Sequence, residues 1–151
     1  MEQLFRDLQE RYETLYKAIE TAVADLPAEA LDWKPGPEMN SIGVILAHTA
    51  GAWRYWAGDV AGDLPSGRVR ATEFETHGVD AEEMLGRLRA ALDTAREVLA
   101  QVNPAQLGEV RTAGQFDEQR TVGWALLHAL EHTALHAGHI QMTRQLWDQR
   151  Q

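Results

Sequence analysis

The sequence predicts an all-α fold, a four-helix bundle with a long crossover connection, and three observations carry that prediction. Apolar residues recur at steps of three and four through long stretches, and period-two alternation is nearly absent. One long glycine-rich stretch separates two helical segments from two more. A chain of 151 residues can bury a continuous apolar core, so a single domain over residues 1–151 is expected.

The first segment places Leu4, Leu8, Tyr12, Leu15, Ile19, Val23 and Leu26 on one helical face with charges between them, and Pro27 interrupts it. After the Pro/Gly-rich stretch DWKPGPEMN, Asn40 or Ser41 can cap a second helix running to about Gly58. From Met39 to Trp53 this helix carries no charge, so it is expected to be covered on several sides by its neighbours. Ala57 to Val79, with glycines, a proline and mixed charges, reads as a long connection able to carry the chain from one end of a bundle to the other. Asp80 with Glu83 has the pattern of a capping box. Leu85, Leu88, Leu92, Ala95, Leu99 and Val102 then mark a third helix that Asn103-Pro104 ends. A polar loop from Pro104 to Arg120 precedes a fourth helix, from near Thr121 to about Trp147, roughly 40 Å long at 1.5 Å per residue. Histidines, glycines, Glu131 and Gln141 break its apolar character, which excludes a membrane span.

Composition narrows the function. With no cysteine, the chain has no thiolate nucleophile, disulfide or thiolate zinc site of its own, and a metal must sit on nitrogen and oxygen. The 14 Lys and Arg against 23 Asp and Glu give a formal charge of −9, which repels a phosphate backbone, and no basic patch offsets it. Neither nucleic acid nor a membrane is an expected partner; a small-molecule substrate is. The N-terminal stretch is charged throughout and lacks the basic segment, apolar run and cleavage site of a secretory signal, so a cytoplasmic location is expected. A homodimer is permitted by the uncharged second helix but not required.

The chemistry concentrates on the fourth helix, where His128, His132, His136 and His139 project within an arc of roughly 80°. Histidines four apart can present two imidazoles to one ion, and a third from a facing helix would close a three-nitrogen face with positions left for water or substrate. His48, in the middle of the uncharged second helix, is placed to be that third. A single histidine on an apolar face is more often a core residue bonded to a backbone carbonyl or a carboxylate. Four on one stripe need polar partners that apolar neighbours cannot give, which a shared cation supplies. A pH-sensitive or purely structural histidine cluster is the alternative. His77 lies in a polar segment and is expected to face solvent. Ser41-Ile42-Gly43, Leu46 and His48 recur at identical spacing as Thr121-Val122-Gly123, Leu126 and His128. That repeat leaves open whether His128 with His132, or His132 with His136, makes the pair.

LDWKP, followed by NSIGVILAHTAGAWRYW and then ALLHALEHTALHAGHIQMTRQLW, resembles the DinB-like superfamily of bacterial metal proteins over most of the chain. The resemblance rests on a histidine in mid second helix and a terminal H-x-x-x-H-x-G-[QH] pattern, here His132, His136, Gly138 and His139. It implies a DinB-like four-helix bundle with a long crossover and a metal triad of His48, His132 and His136, with His128 and His139 beside it. Zinc or nickel is the expected divalent ion. The superfamily includes bacillithiol S-transferases and mycothiol-dependent maleylpyruvate isomerase, so the resemblance implies first a thiol S-transferase using a low-molecular-weight thiol. A metal-dependent hydrolase and a non-catalytic metal-binding stress-response protein come next. No carboxylate is marked as a general base, because Glu131 points about 100° away from His132. Trp53, Trp56, Trp124, Trp147 and Tyr55 read chiefly as core and secondarily as the wall of an apolar pocket. Trp33 is expected to pin the loop before the second helix, and Arg87, Arg89 and Arg96 to face solvent.

Overall fold

The computed structural model describes residues 2–113 and 118–150. Four long helical segments share one apolar core: α1 (Glu2–Val23), α3 (Ile42–Trp53) with its π-helical continuation Arg54–Ala61, α5 (Ala81–Gln101) and α6 (Val122–Gln149). Short helices α2 (Ala28–Asp32) and α4 (Arg70–Glu73), a 3₁₀ turn (Pro104–Gly108) and an antiparallel pair, β1 (Val110–Ala113) with β2 (Glu118–Thr121), complete the described residues.

Contacts between the helices fix their directions. Tyr16 and Glu20 meet Arg89 while Glu13 meets Arg96, so α1 and α5 are antiparallel. Gly43 faces Val79, Gly58 faces Thr94 and Gly62 faces Val98, so α3 and α5 run parallel. His48 meets His132 and Trp56 meets Trp124, which makes α3 and α6 antiparallel. The order is up-down-down-up, and residues 62–80 are the crossover that returns the chain to the starting end of α3. At the centre, Tyr12 and Trp53 pack ring on ring, with centroids 5.2 Å apart. The buried Tyr12 hydroxyl donates to the Leu126 carbonyl at 2.7 Å.

The caps follow the sequence closely. Ser41, not Asn40, caps α3 by accepting from the Val44 N–H, and Thr121 caps α6 by accepting from Trp124. Asp80 accepts from the Glu83 N–H, but the Glu83 side chain turns to Arg87 at 2.6 Å. The reciprocal capping box belongs instead to Asn103 and Gln106. The repeated glycines have one job at both places. A Cβ on Gly43 would stand 3.0 Å from the Leu31 carbonyl oxygen, and one on Gly123 would stand 3.1 Å from that of Leu107. Each long helix thus starts against the carbonyl of a preceding short turn.

Four expectations need correcting. The second helix does not stop near Gly58: it widens into a π-helix and continues to Ala61, whose carbonyl accepts from Arg111 at 2.6 Å. The connection read from Ala57 to Val79 contains helix α4. The region read as a polar loop, Pro104–Arg120, holds the 3₁₀ turn and the strands, while its residues 114–117 lie outside the described residues. The strands escape period-two detection because each has only four residues. Leu4 is half exposed, since α1 begins beyond the edge of the bundle core.

The uncharged second helix is buried within its own chain, as its composition implied. The exposed apolar residues Leu127, Leu135 and Met142 lie instead on the outer face of α6. No helix among the described residues is long and apolar enough to cross a membrane. Replacing Tyr12 with Phe removes a buried hydrogen bond while keeping the ring packing. Chemical denaturation should show a loss of about 0.5–1.5 kcal/mol; an unchanged midpoint would mean that the hydroxyl contributes nothing to holding α1 against α6.

Candidate metal centre

His48 projects from the middle of α3 toward α6, and the crossover returns past it, so three elements close around one imidazole. Its Nδ1 lies 2.8 Å from Glu73 Oε2 on α4, and its Nε2 lies 3.1 Å from Nε2 of His132 on α6. A carboxylate can only accept here, so Nδ1 carries the proton and the Nε2 lone pair points at His132. Glu73 is held in turn by Arg68, whose Nε donates to Oε1 at 2.6 Å and whose Nη2 donates to Oε2 at 2.9 Å. Both side chains of this bidentate pair are almost wholly buried. Burial pushes the Glu73 carboxyl up, but the bonds from Arg68 and His48 outweigh it and hold the group below the usual carboxylate range.

Gly51 makes the arrangement possible. A Cβ at that position would fall on Glu73 Oε1, so only a glycine one turn from His48 lets the carboxylate lie against α3.

His136 completes the cluster one turn beyond His132, its ring centroid 4.4 Å from that of His132 and 5.1 Å from that of His48. One ring nitrogen from each of His48, His132 and His136 lies within 4.8 Å of the others. Burial depresses His132 from 6.5 to about 3, reinforced by His136, His48, His128 and Arg68. His136 falls to about 4, again chiefly through burial and then through His48 and His139. Both rings are therefore neutral at pH 7, the form that ligates metal.

The donor set suits a divalent ion. Two nitrogens each about 2.0–2.1 Å from a tetrahedral zinc stand about 3.4 Å apart, and the His48–His132 pair at 3.1 Å already approaches that bite. The carboxylate behind His48 is the partner that ligating histidines usually have on their other nitrogen. His132 Nδ1, by contrast, is buried without a hydrogen-bond partner.

The remaining sequence candidates sit around this cluster. His128 lies beside His132 but faces Trp56, because α3 and α6 are antiparallel and equal offsets from their starts run from opposite ends. His139 Nδ1 stands 3.2 Å from His136 Nδ1 on the exposed side. Glu131 is exposed, 3.8 Å from His128, and His77 is exposed as expected. Trp53 is core, whereas the Trp56 ring contacts both Trp124 and His128, and Trp124 stacks on His128 with centroids 4.6 Å apart. Trp147 packs against Trp33, pinning the loop as expected. Arg89 and Arg96 are half exposed but tie α5 to acids of α1.

A cleft of about 270 Å³ opens beside the triad, lined by His48, Ala52, Trp56, Arg68, Arg70, His128 and His132. A larger one, about 530 Å³, lies behind the Arg68–Glu73 pair and contains no histidine. Sequence reasoning missed Arg68, Arg70 and Glu73, all in the stretch read as connection. The need of a ligating imidazole for an acceptor pointed to some acid, but 23 were available.

The characteristic sequence pattern of the DinB superfamily matches residues 11–140. The chain belongs to the DinB superfamily. A conserved protein from Enterococcus faecalis, known from a crystal structure, superposes with a TM-score of 0.75 over 96% of this chain and 97% of that one. At 17% identity it bears on the DinB-type fold alone. Comparison with curated proteins returns no match.

The depressed histidines set a pH dependence for the metal-free protein. Between about pH 6.5 and the folded values of about 3 and 4, the unfolded chain binds protons that the folded chain refuses. Stability should therefore fall as pH drops from 7 to 4. In chelator, denaturation midpoints of His132→Asn should fall less steeply over that range than those of wild type. Parallel slopes would contradict the burial of a neutral His132.

Proposed function

We propose that this DinB-superfamily chain is a metal-dependent S-transferase that joins a low-molecular-weight thiol to an electrophilic carbon, with zinc or nickel held by His48, His132 and His136. The observation that carries this reading is three converging imidazoles with an open cleft directly beside them. A purely structural site would instead be closed by a fourth protein ligand.

The carboxylates of the site offer no base for water as the nucleophile. No Asp or Glu among the described residues lines the cleft to act on water, and His128, the nitrogen base there outside the triad, could serve a thiol or water alike. Glu73, the acid nearest the triad, has both oxygens engaged by Arg68 and His48. The chain contains no cysteine, so the sulfur comes from a cosubstrate. A bound divalent ion supplies one thing, a lowered pKa for a thiol in the open position, so that the thiolate forms at neutral pH.

The residues do the rest. Glu73 holds His48 by Nδ1 so that Nε2 faces the triad. His128, at the edge of the cleft, takes the thiol proton. Trp56 covers one wall and excludes water. The sulfur then forms its bond to carbon while the leaving group departs with the bonding pair, and His128 returns the proton to it. R–SH and R′–X become R–S–R′ and HX.

Protein purified without an affinity tag should contain one equivalent of metal by mass spectrometry. His48→Ala, His132→Ala and His136→Ala should each lose it and His128→Ala should keep it. Loss in His128→Ala with retention in His136→Ala would move the site one turn along α6. Glu73→Gln and Gly51→Ala should bind metal about 10–100-fold more weakly, the second by displacing the carboxylate; unchanged affinity in both would remove Glu73 from the site.

For catalysis, the metal-loaded protein should accelerate conjugation of 1-chloro-2,4-dinitrobenzene with at least one of a panel of low-molecular-weight thiols, and His132→Ala should not. Equal consumption of electrophile with the thiol omitted would point to hydrolysis instead.

A further inference from the structure

We infer that the cleft beside the triad is a carboxylate subsite, with Arg70 as its anchor and with Trp56 and His128 as aromatic walls set edge to face around a small planar body. This rests on the transferase reading in taking the cleft as the substrate's place, and it adds the substrate's chemical class.

The charge pattern carries the argument. In a chain with formal charge −9, the cleft is lined by two guanidinium groups and three imidazoles and, among the described residues, by no acid. Arg68 is committed to both oxygens of Glu73. Arg70 has no carboxylate partner among the described residues; it lies over the Phe74 ring at 4.8 Å, and Phe74 packs on His48 with centroids 5.1 Å apart. Arg54, Arg87, Arg89, Arg96, Arg111 and Arg144, by contrast, each pair with an acid of the chain. In a chain with acids in excess, an arginine without a carboxylate partner among the described residues thus stands at the mouth of the candidate site.

A guanidinium presents two parallel N–H groups that match the two oxygens of a carboxylate. The Phe74 face holds that group in place without neutralising it. At about 270 Å³, the cleft falls just below the range of about 300–1,000 Å³ that takes drug-sized ligands, which suits a small molecule. The Trp56 edge and the His128–Trp124 stack offer π surface for an aromatic or conjugated body. The carboxylate would belong to either the electrophile or the thiol.

The test is calorimetric titration of the full chain, zinc-loaded and metal-free, with benzoate, benzyl alcohol and phenyl phosphate. Benzoate should bind wild type in both forms. Arg70→Gln should weaken benzoate about tenfold or more, the size of one lost charge-assisted pair, and leave benzyl alcohol unchanged. Arg70→Lys should retain part of the affinity. Arg70 is exposed, so an unchanged melting temperature will show that the variants fold.

Equal benzoate affinity in wild type and Arg70→Gln would overturn the proposal, as would benzoate binding that needs zinc and ignores Arg70. Tighter binding of phenyl phosphate than of benzoate would overturn the carboxylate assignment. Arg70-dependent benzoate binding without any thiol-dependent turnover would leave the subsite standing and sink the transferase reading. Where turnover is present, competition of benzoate against the electrophile or against the thiol identifies which of them carries the acid.

Discussion

Glu73 accepts two bonds from Arg68 and one from His48, and the crossover, α3 and the histidine cluster are held in register through that one carboxylate. A buried acid is costly unless its oxygens are hydrogen-bonded, and here three donors reach them. Remove it, and His48 is free to turn, Arg68 loses its bidentate carboxylate partner, and the crossover loses its fixed point on α3. The absence of a side chain at Gly51 belongs to the same constraint, because the carboxylate occupies the space where a Cβ would be.

Around that point the bundle works as a scaffold. Parallel α3 and α5 require a crossover long enough to run the length of the bundle, and this length carries Arg68, Arg70 and Glu73 past the middle of α3. An up-down-up-down bundle with short turns would leave His48 without a chain segment to supply its acceptor. Antiparallel α3 and α6 set which histidines meet: His48 opposite His132, and Trp56 opposite Trp124 and His128. The π-helical widening begins right after the core tryptophan, Trp53, and contains the cleft tryptophan, Trp56, where an irregular turn re-aims side chains.

The electrostatics of the site follow from its depth. His132 and His136 are pushed toward the neutral form chiefly by burial, and proximity to other imidazoles adds to it. Glu73 is kept ionised despite burial because its partners are cations or proton donors. Neutral rings in front and a fixed anion behind present lone pairs to one point in space, an arrangement suited to a cation.

The sequence by itself determined the helical class, where the later long helices start, with the cap of the second narrowed to Asn40 or Ser41, the burial of the uncharged second helix and the crossing of the connection. These are local properties: periodicity, hydroxyl or carboxylate caps and the lack of charge act over one or two turns. It also marked the histidine stripe, since residues three and four apart share a face of any helix. What it left open was which two histidines of α6 meet His48, because that depends on the relative direction and register of helices 84 residues apart at the contact. Arg68, Arg70 and Glu73 were invisible for the same reason. Their roles come from a crossover folding back over α3, and no local pattern distinguishes one acid or arginine in a loop from another until the tertiary structure places it beside an imidazole.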